Sequence, residues 1–313
     1  MSRPLKRVLL TGATGFIGKR ILRLLVERAE EVVAIVHRRS IASTLKATNV
    51  KVVSANLQNA EELRRILEGC HAVCNAAGFI PSDYESWEDL DRCVESNAVS
   101  VARLAQLASK VHALRFVHLS TAALYGFATR PLLEDSPIYP AGRATCYLGT
   151  KLLGELLIED MRRRGDLNAF TLRIASCYGP EMSERSVLKA FVGQAQARLP
   201  IRVKGSGTAT SDFVYVDDVA EAVLLALQGG EPGIYNIGSG KTHTIRQLAE
   251  HVHRTYSDHR LSVIVEKPKE ESHPGFAPLN IAKARKAWGF SPRTLRVGLR
   301  SYRRWMEESL QPQ

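Results

Sequence analysis

Long hydrophobic runs are missing from this 313-residue chain. No stretch approaches the roughly 18 consecutive apolar residues that a membrane-spanning helix needs. The apolar run behind the basic start, Met1 to Lys6, is too short for a signal peptide. Cysteine is sparse: Cys70, Cys74, Cys93, Cys146 and Cys177 are the five present, with no CxxC spacing. An odd count without that spacing argues against a disulfide framework and a zinc site, and fits a reducing compartment. The expectation is a cytoplasmic protein with no metal and no membrane partner. Internal repeats and low-complexity segments are absent too. Aromatics are only 7% of the chain. They are not interleaved with basic residues in the way a single-strand nucleic-acid binder needs. The basic runs Arg162-Arg163-Arg164 and Arg300 to Arg304 fall on amphipathic helical patterns. They read as solvated faces, so the formal charge of +11 does not by itself point to nucleic acid.

What is present is an ordinary globular balance of 45% apolar and 24% charged residues. Short apolar runs alternate with helical periodicity through the first half. Arg7 to Thr11, Val32 to Val36, Val50 to Val53, Ala72 to Cys74, Arg115 to Ser120 and Ala169 to Ala175 read as strands. Phe16 to Arg28, Ser96 to Val111 and Tyr147 to Arg164 read as helices. This rhythm predicts an α/β fold, a Rossmann-type doubly wound parallel sheet. After Tyr178-Gly179-Pro180 the rhythm breaks. Residues 1–176 are expected to form the dinucleotide-binding domain, with 212–238 returning to it. Residues 177–211 and 239–313 are expected to form a smaller, discontinuous substrate lobe.

The run Thr11-Gly12-Ala13-Thr14-Gly15-Phe16-Ile17-Gly18 follows the first strand and opens the first helix. Glycines in that place let backbone approach a pyrophosphate, which then faces the helix N-terminus. The second strand ends in His37, Arg38 and Arg39, where NAD sites usually carry an acid for the ribose hydroxyl. Guanidinium groups match a 2′-phosphate, so NADP is favoured over NAD. Asn56 and Leu57 fall where an adenine contact is expected. Asn75-Ala76-Ala77-Gly78 supplies small residues over which a cofactor passes.

Tyr147 and Lys151 are four residues apart and share a helix face. A phenol titrates near ~10 and is a poor base at neutral pH. A nearby ammonium favours the phenolate and brings it toward the range of a general acid/base. Thr121, at the end of the strand Phe116 to Leu119, lies 26 residues before Tyr147 and offers a hydroxyl for a substrate oxygen. His118, inside the same strand, reads as a core histidine, and Asp217-Asp218 as the start of a helix.

These motifs, with Asn97, Arg173, Tyr178-Gly179-Pro180, Asp212 to Val219 and Tyr235 to Gly238, resemble the extended short-chain dehydrogenase/reductase family of the NAD-dependent epimerase/dehydratase type. The resemblance spans nearly the whole chain. It implies Tyr147 as acid/base, Lys151 as its partner and nicotinamide-ribose ligand, and Thr121 as the hydrogen bonder to substrate. It places Tyr178 near the nicotinamide. It implies a homodimer through the two long helices, whose Leu104, Leu107, Leu152 and Leu156 are candidate interface residues or plain core.

The departures bear on substrate. Dehydratases of the family carry an acidic pair after the Thr, where this chain has Ala122 and Ala123. Nucleotide-sugar enzymes usually carry Arg before the Asp-Phe run, where Ser211 stands, and a second Arg where Ser272 to Phe276 runs. Three readings remain open. One is a 4-epimerase or 4-ketoreductase of a nucleotide-activated sugar. Another is an NADPH-dependent reductase of a small ketone or aldehyde. The third is a non-catalytic protein that binds cofactor or RNA.

Overall fold

The computed structural model describes residues 5–37, 41, 47–138, 144–256, 262–266 and 274–309. Its strands are β1 (Leu5–Thr11), β2 (Ala29–Val36), β3 (Val50–Ser54), β4 (Ala72–Asn75), β5 (Arg115–Thr121), β6 (Ala169–Ile174), β7 (Ser176–Tyr178), β8 (Ile201–Val203), β9 (Thr210–Tyr215), β10 (Gly233–Ile237), β11 (Thr242–Thr244) and β12 (Val263–Val265). Its α-helices are α1 (Phe16–Arg28), α2 (Ala60–Leu67), α3 (Leu90–Val94), α4 (Ser100–Lys110), α5 (Thr145–Arg163), α6 (Val187–Gln196), α7 (Val216–Gln228), α8 (Ile245–Tyr256), α9 (Ala282–Trp288) and α10 (Leu295–Ser309).

Seven strands form one parallel sheet in the order β3-β2-β1-β4-β5-β6-β10. Strands covered on both faces need apolar side chains at successive positions, and Val8, Leu9 and Leu10 are all buried. The chain winds outward from β1 to β3, then crosses back to β4. The sheet therefore opens a crevice above the carboxyl ends of β1 and β4, where a doubly wound fold binds its ligands.

Helices cover both faces. On one side α1 and α7 bury Ile21, Leu22, Leu25, Val219 and Val223. On the other, α2, α4 and α5 bury Leu63, Leu67, Leu104, Ala108 and Ile158. Gly18 costs α1 about 1 kcal/mol of helix propensity. Each buried Leu or Ile returns about 1.5–3 kcal/mol, so packing holds the helix. A third cluster lies under α6, α8 and α10, with Phe191, Leu248, Leu299 and Tyr302. Here β7, β9 and β11 form a small sheet, and β8 pairs with β12. Of residues 212–238, β10 joins the main sheet beside β6, while β9 lies between β7 and β11.

The structure corrects some boundaries. The helix expected from Ser96 begins at Leu90 and passes through a π turn at Glu95–Val99 before α4. That turn brings the Asn97 carbonyl against α5 at Gly154, where a Cβ would lie 2.4 Å from the oxygen. A glycine is the residue that allows the approach. Leu104 and Leu107 are core, whereas Leu156 is exposed. No helix among the described residues is long and apolar enough to cross a membrane.

Candidate active site

The β1–α1 turn is shaped by backbone collisions that only glycine avoids. Gly12 has φ +69°, and a Cβ there would meet the Ala76 and Ala77 backbone at 2.6 Å. A Cβ on Gly18 would lie 1.9 Å from the Gly12 oxygen. Gly15 closes the turn by donating its N–H to that oxygen at 2.9 Å. No side chain caps α1 and no acid stands in its first turn. Its N–H groups and positive dipole end are therefore left for an anion.

A cavity of about 940 Å³ opens from this turn, lined by Gly12, Thr14, Gly15, His37, Asn56, Leu57, Ala76, Ala77 and Gly78. An uncapped helix start at one end and the Asn56–Leu57 turn at the other fit an extended dinucleotide. The residues present thus fit the NAD(P) expected from the motif. Arg38 and Arg39 lie outside the described residues. Other expected cofactor residues, Gly18, Tyr147 and Lys151 among them, are placed apart from the cavity wall. Phe16 packs on the third cluster and Ile17 on the first. Asn97 is fully buried, its amide clamping the Phe79 backbone at 2.8 and 2.9 Å. Tyr178 is buried, with its hydroxyl donating to the Leu295 carbonyl at 3.3 Å beside α10. Sequence reasoning passed over Arg92, Glu95 and Ser100, which line the same cavity. Arg92 and Glu95 come from the part of the helix that the periodicity places too late, and Ser100 opens α4 just beyond it.

The three expected reactive side chains come from β5 and α5. Thr121 ends β5, and its Oγ1 accepts the Ala123 N–H at 3.1 Å while keeping its own proton. Lys151 is buried and donates to the Leu119 carbonyl at 2.7 Å. That bond docks α5 on the carboxyl end of β5. Burial pulls the Lys151 ammonium down to about 8, against an opposing pull from the Glu155 charge. Burial also pushes the Tyr147 phenol up, and Tyr84 and Cys93 add to the effect. Tyr84 sits over it with ring centroids 5.9 Å apart. The expected depression of the phenol by the ammonium is not what this geometry delivers, because Lys151 turns its hydrogen bond to Leu119.

Behind α5, Arg173 of β6 grips Glu155 at 2.8 and 3.1 Å and also donates to the Tyr125 hydroxyl at 2.8 Å. Tyr125 in turn donates to Asn236 at 2.8 Å. This buried, satisfied network fixes the helix that carries Tyr147 and Lys151. The two carboxylates at the start of α7 are each ion-paired, Asp217 with Arg20 and the buried Asp218 with Arg293, both at 2.5 Å.

On the far side of Thr121 lies a smaller cavity of about 110 Å³, lined by Ala122, Ala123, Leu132, Ile174, Phe276 and Leu279, with Ser176, Ser211 and Asp212. Ser211 and Ser176 share a hydroxyl hydrogen bond of 2.6 Å. Asp212 is spent on structure: it accepts from the Ser239 and Gly240 N–H groups at 2.7 and 3.0 Å.

The sequence profile of the NAD dependent epimerase/dehydratase family matches residues 8–238. UDP-glucuronic acid decarboxylase 4 of Arabidopsis thaliana is 27% identical over 310 residues, spanning 96% of this chain and 68% of that protein. The dTDP-4-dehydro-6-deoxy-D-allose reductase of a Streptomyces species is 26% identical over 96% of both chains. Among solved structures, MoeE5 in complex with UDP-glucuronic acid and NAD superposes with a TM-score of 0.83 at 26% identity, covering 97% of this chain and 100% of that one.

Proposed function

The chain belongs to the NAD dependent epimerase/dehydratase family, and on that premise we propose that it is an NAD(P)-dependent 4-epimerase or 4-ketoreductase of a nucleotide-activated sugar. The observation that carries this reading is the Lys151–Leu119 bond of 2.7 Å. It docks α5, the helix that carries Tyr147, on β5, the strand that Thr121 ends. A bound nicotinamide supplies the hydride acceptor or donor. The protein supplies the proton chemistry and the orientation. Tyr147 takes the proton from a sugar hydroxyl, or gives one to a ketone oxygen, as general acid/base. Thr121 donates to the same oxygen and fixes it in place. Lys151 holds the ribose and is the charge that stabilises the phenolate when it turns toward the site.

Relatives that act on UDP- and dTDP-sugars support the substrate class. Ala122 and Ala123 leave the position after Thr121 without the acid and base that water elimination needs, which disfavours a dehydratase. NADP is supported by Arg38, Arg39 and the lack of an acid after β2, while MoeE5 carries NAD. The residues that would choose the sugar fall in 177–211 and 239–313, which we take as the substrate lobe. Leu153, Leu156 and Leu157 form an exposed apolar row on α5 and support a homodimer.

One observation favours the second reading, a reductase of a small ketone or aldehyde. Where the family resemblance leads one to expect a diphosphate-binding Arg, Ser211 is tied to Ser176, and the cavity beside Thr121 is small and largely apolar. Mass spectrometry of nucleotides released from freshly purified protein, with NADH and NADPH titrations, separates the two. A retained dinucleotide supports an epimerase that recycles its hydride. An empty protein with strong preference for NADPH supports the reductase. Failure to bind either cofactor removes both.

A further inference from the structure

Under the site runs a line of buried polar side chains that the proposed chemistry leaves unused. The Thr11 Oγ1 accepts the Ala77 N–H at 3.2 Å and donates its own proton to Asn75 Oδ1, 2.6 Å away. That bond orients the Asn75 amide, and its nitrogen donates to His118 Nδ1 at 3.2 Å. His118 is fully buried and held well below its ordinary pKa by burial and by Lys151. A neutral ring whose Nδ1 accepts must carry its proton on Nε2. His118 Nε2 faces Lys151 Nζ at 3.5 Å. An N–H pointed at an ammonium repels it, whereas one pointed at an amine lone pair is favourable.

We propose that His118 is a positioning residue whose tautomer, locked by Asn75 and Thr11, lowers the proton affinity of Lys151 while leaving it a cation at neutral pH. The proposal rests on the reading of Lys151 as the partner of Tyr147. The other titratable or charged groups around it are Tyr147 and Glu155 on α5, and Arg173 of β6, which neutralises Glu155. Because Thr11 and Ala77 also line the dinucleotide cavity, the wire joins the cradle to the reacting end.

The test is NMR of the intact protein, labelled with ¹⁵N-histidine and ¹³C,¹⁵N-lysine, without substrate. His118 is expected in the Nε2–H form, and Lys151 is expected to titrate near 8. Asn75→Asp offers an acceptor to Nδ1–H, reverses the tautomer and raises the proton affinity of Lys151 at least tenfold. Thr11→Val, which adds no charge, frees the Asn75 amide and moves Lys151 the same way by less. If Asn75→Asp fails to fold, Thr11→Val decides. A merely structural wire would lower stability and leave the tautomer and midpoint in place. An Nδ1–H form in the parent protein, or an unmoved Lys151 midpoint, overturns the proposal. Since no turnover is read, its failure is separate from that of the enzymatic reading, which the activity of Tyr147→Phe decides.

A second observation stands apart from that site. Leu295, Leu299 and Tyr302 of α10 face the core, which turns Arg296, Arg300, Arg303 and Arg304 toward His251 and Arg254 of α8. Together they line a cavity of about 680 Å³. The carboxylate there, Glu307, is paired with Arg303 at 2.7 Å. Among the described residues Arg254, Arg296, Arg300 and Arg304 have no ion-pair partner. The run that reads as a solvated face in the sequence is thus one wall of a concave cationic site. We infer that it binds a small ligand bearing clustered phosphates, whose oxygens match several guanidinium forks at once. Calorimetry with tripolyphosphate at physiological salt tests this. The double variant Arg296→Ala/Arg300→Ala should weaken binding at least tenfold and leave NAD binding unchanged, while Arg23→Ala/Arg285→Ala, with equal charge loss elsewhere, should not. No binding, or equal weakening by the control pair, overturns it. So does binding only to anionic phospholipid vesicles, which would assign the site to a membrane surface.

Discussion

The two parts of the candidate site are built from different materials. The dinucleotide end is backbone: Gly12, Gly15 and Gly18 lie close in sequence, and their geometry follows from contacts among themselves and with Ala76 and Ala77. The reacting end is side chains gathered from β1, β4, β5 and α5, with Thr11, Asn75, His118 and Lys151 each bonded to a residue at least 33 positions away. A backbone site tolerates almost no substitution but carries little substrate information. A side-chain site can change chemistry while the fold persists.

The sharpest way to break this comparison is Gly18→Ala. A Cβ placed 1.9 Å from the Gly12 oxygen cannot be absorbed by rotamer change, so the turn must open. We expect a stability loss of about 4 kcal/mol or more in urea unfolding, together with loss of dinucleotide binding. A stable variant that still binds NAD would show that the turn is not the cradle. Tyr147→Phe is the counterpart at the other end. Removing a positioned acid/base costs about 10²–10⁴ in kcat, while cofactor affinity should stay within about threefold and stability within about 0.5 kcal/mol. Equal losses in kcat and cofactor affinity would erase the distinction between the two ends.

Lys151 sharpens it further through pH. Its ammonium is depressed from the ordinary 10.5 to about 8 in the folded chain. Between those values the unfolded chain binds more protons than the folded one, so this group makes stability rise as pH rises through that window. Below about 8 its penalty is fully present. Lys151→Met removes the penalty. The advantage of the variant over the parent should therefore shrink by roughly 3 kcal/mol between pH 7.5 and 10.5, read by urea unfolding at both. A difference that is flat with pH would mean that Lys151 keeps an ordinary pKa.

The same contrast explains what was legible in the sequence. The β1–α1 turn could be read because its determinants are contiguous, and the strands because Val8 to Leu10 and Val32 to Ile35 are apolar on both faces. Helix α2 passed unread although Asn59 caps it by accepting the Glu62 N–H, a signal present in the sequence. The start of α3 was placed late because Asp91 and Arg92 interrupt the apolar spacing, and the π turn answers to Gly154, far along the chain. His118 read as a plain core residue because nothing near it in sequence names Asn75 or Lys151. The apolar repeat marks Leu104 and Leu156 alike, yet the sheet covers one and leaves the other exposed.

The smallest effect tests the premise that position, not glycine content, makes the cradle. Gly193 also sits inside a helix, α6, but an added Cβ meets nothing within 4 Å. There the glycine contributes only its conformational cost. Gly193→Ala should stabilise the protein by about 0.5–1 kcal/mol, seen as a small rise in the urea midpoint with an unchanged slope. Two identical substitutions in two helices would then differ in sign as well as in size. The difference would trace to one oxygen atom, that of Gly12, lying over one Cα and not over the other. If Gly193→Ala instead destabilises the fold, α6 is packed more tightly than its open flank implies, and the lobe it covers is as constrained as the cradle.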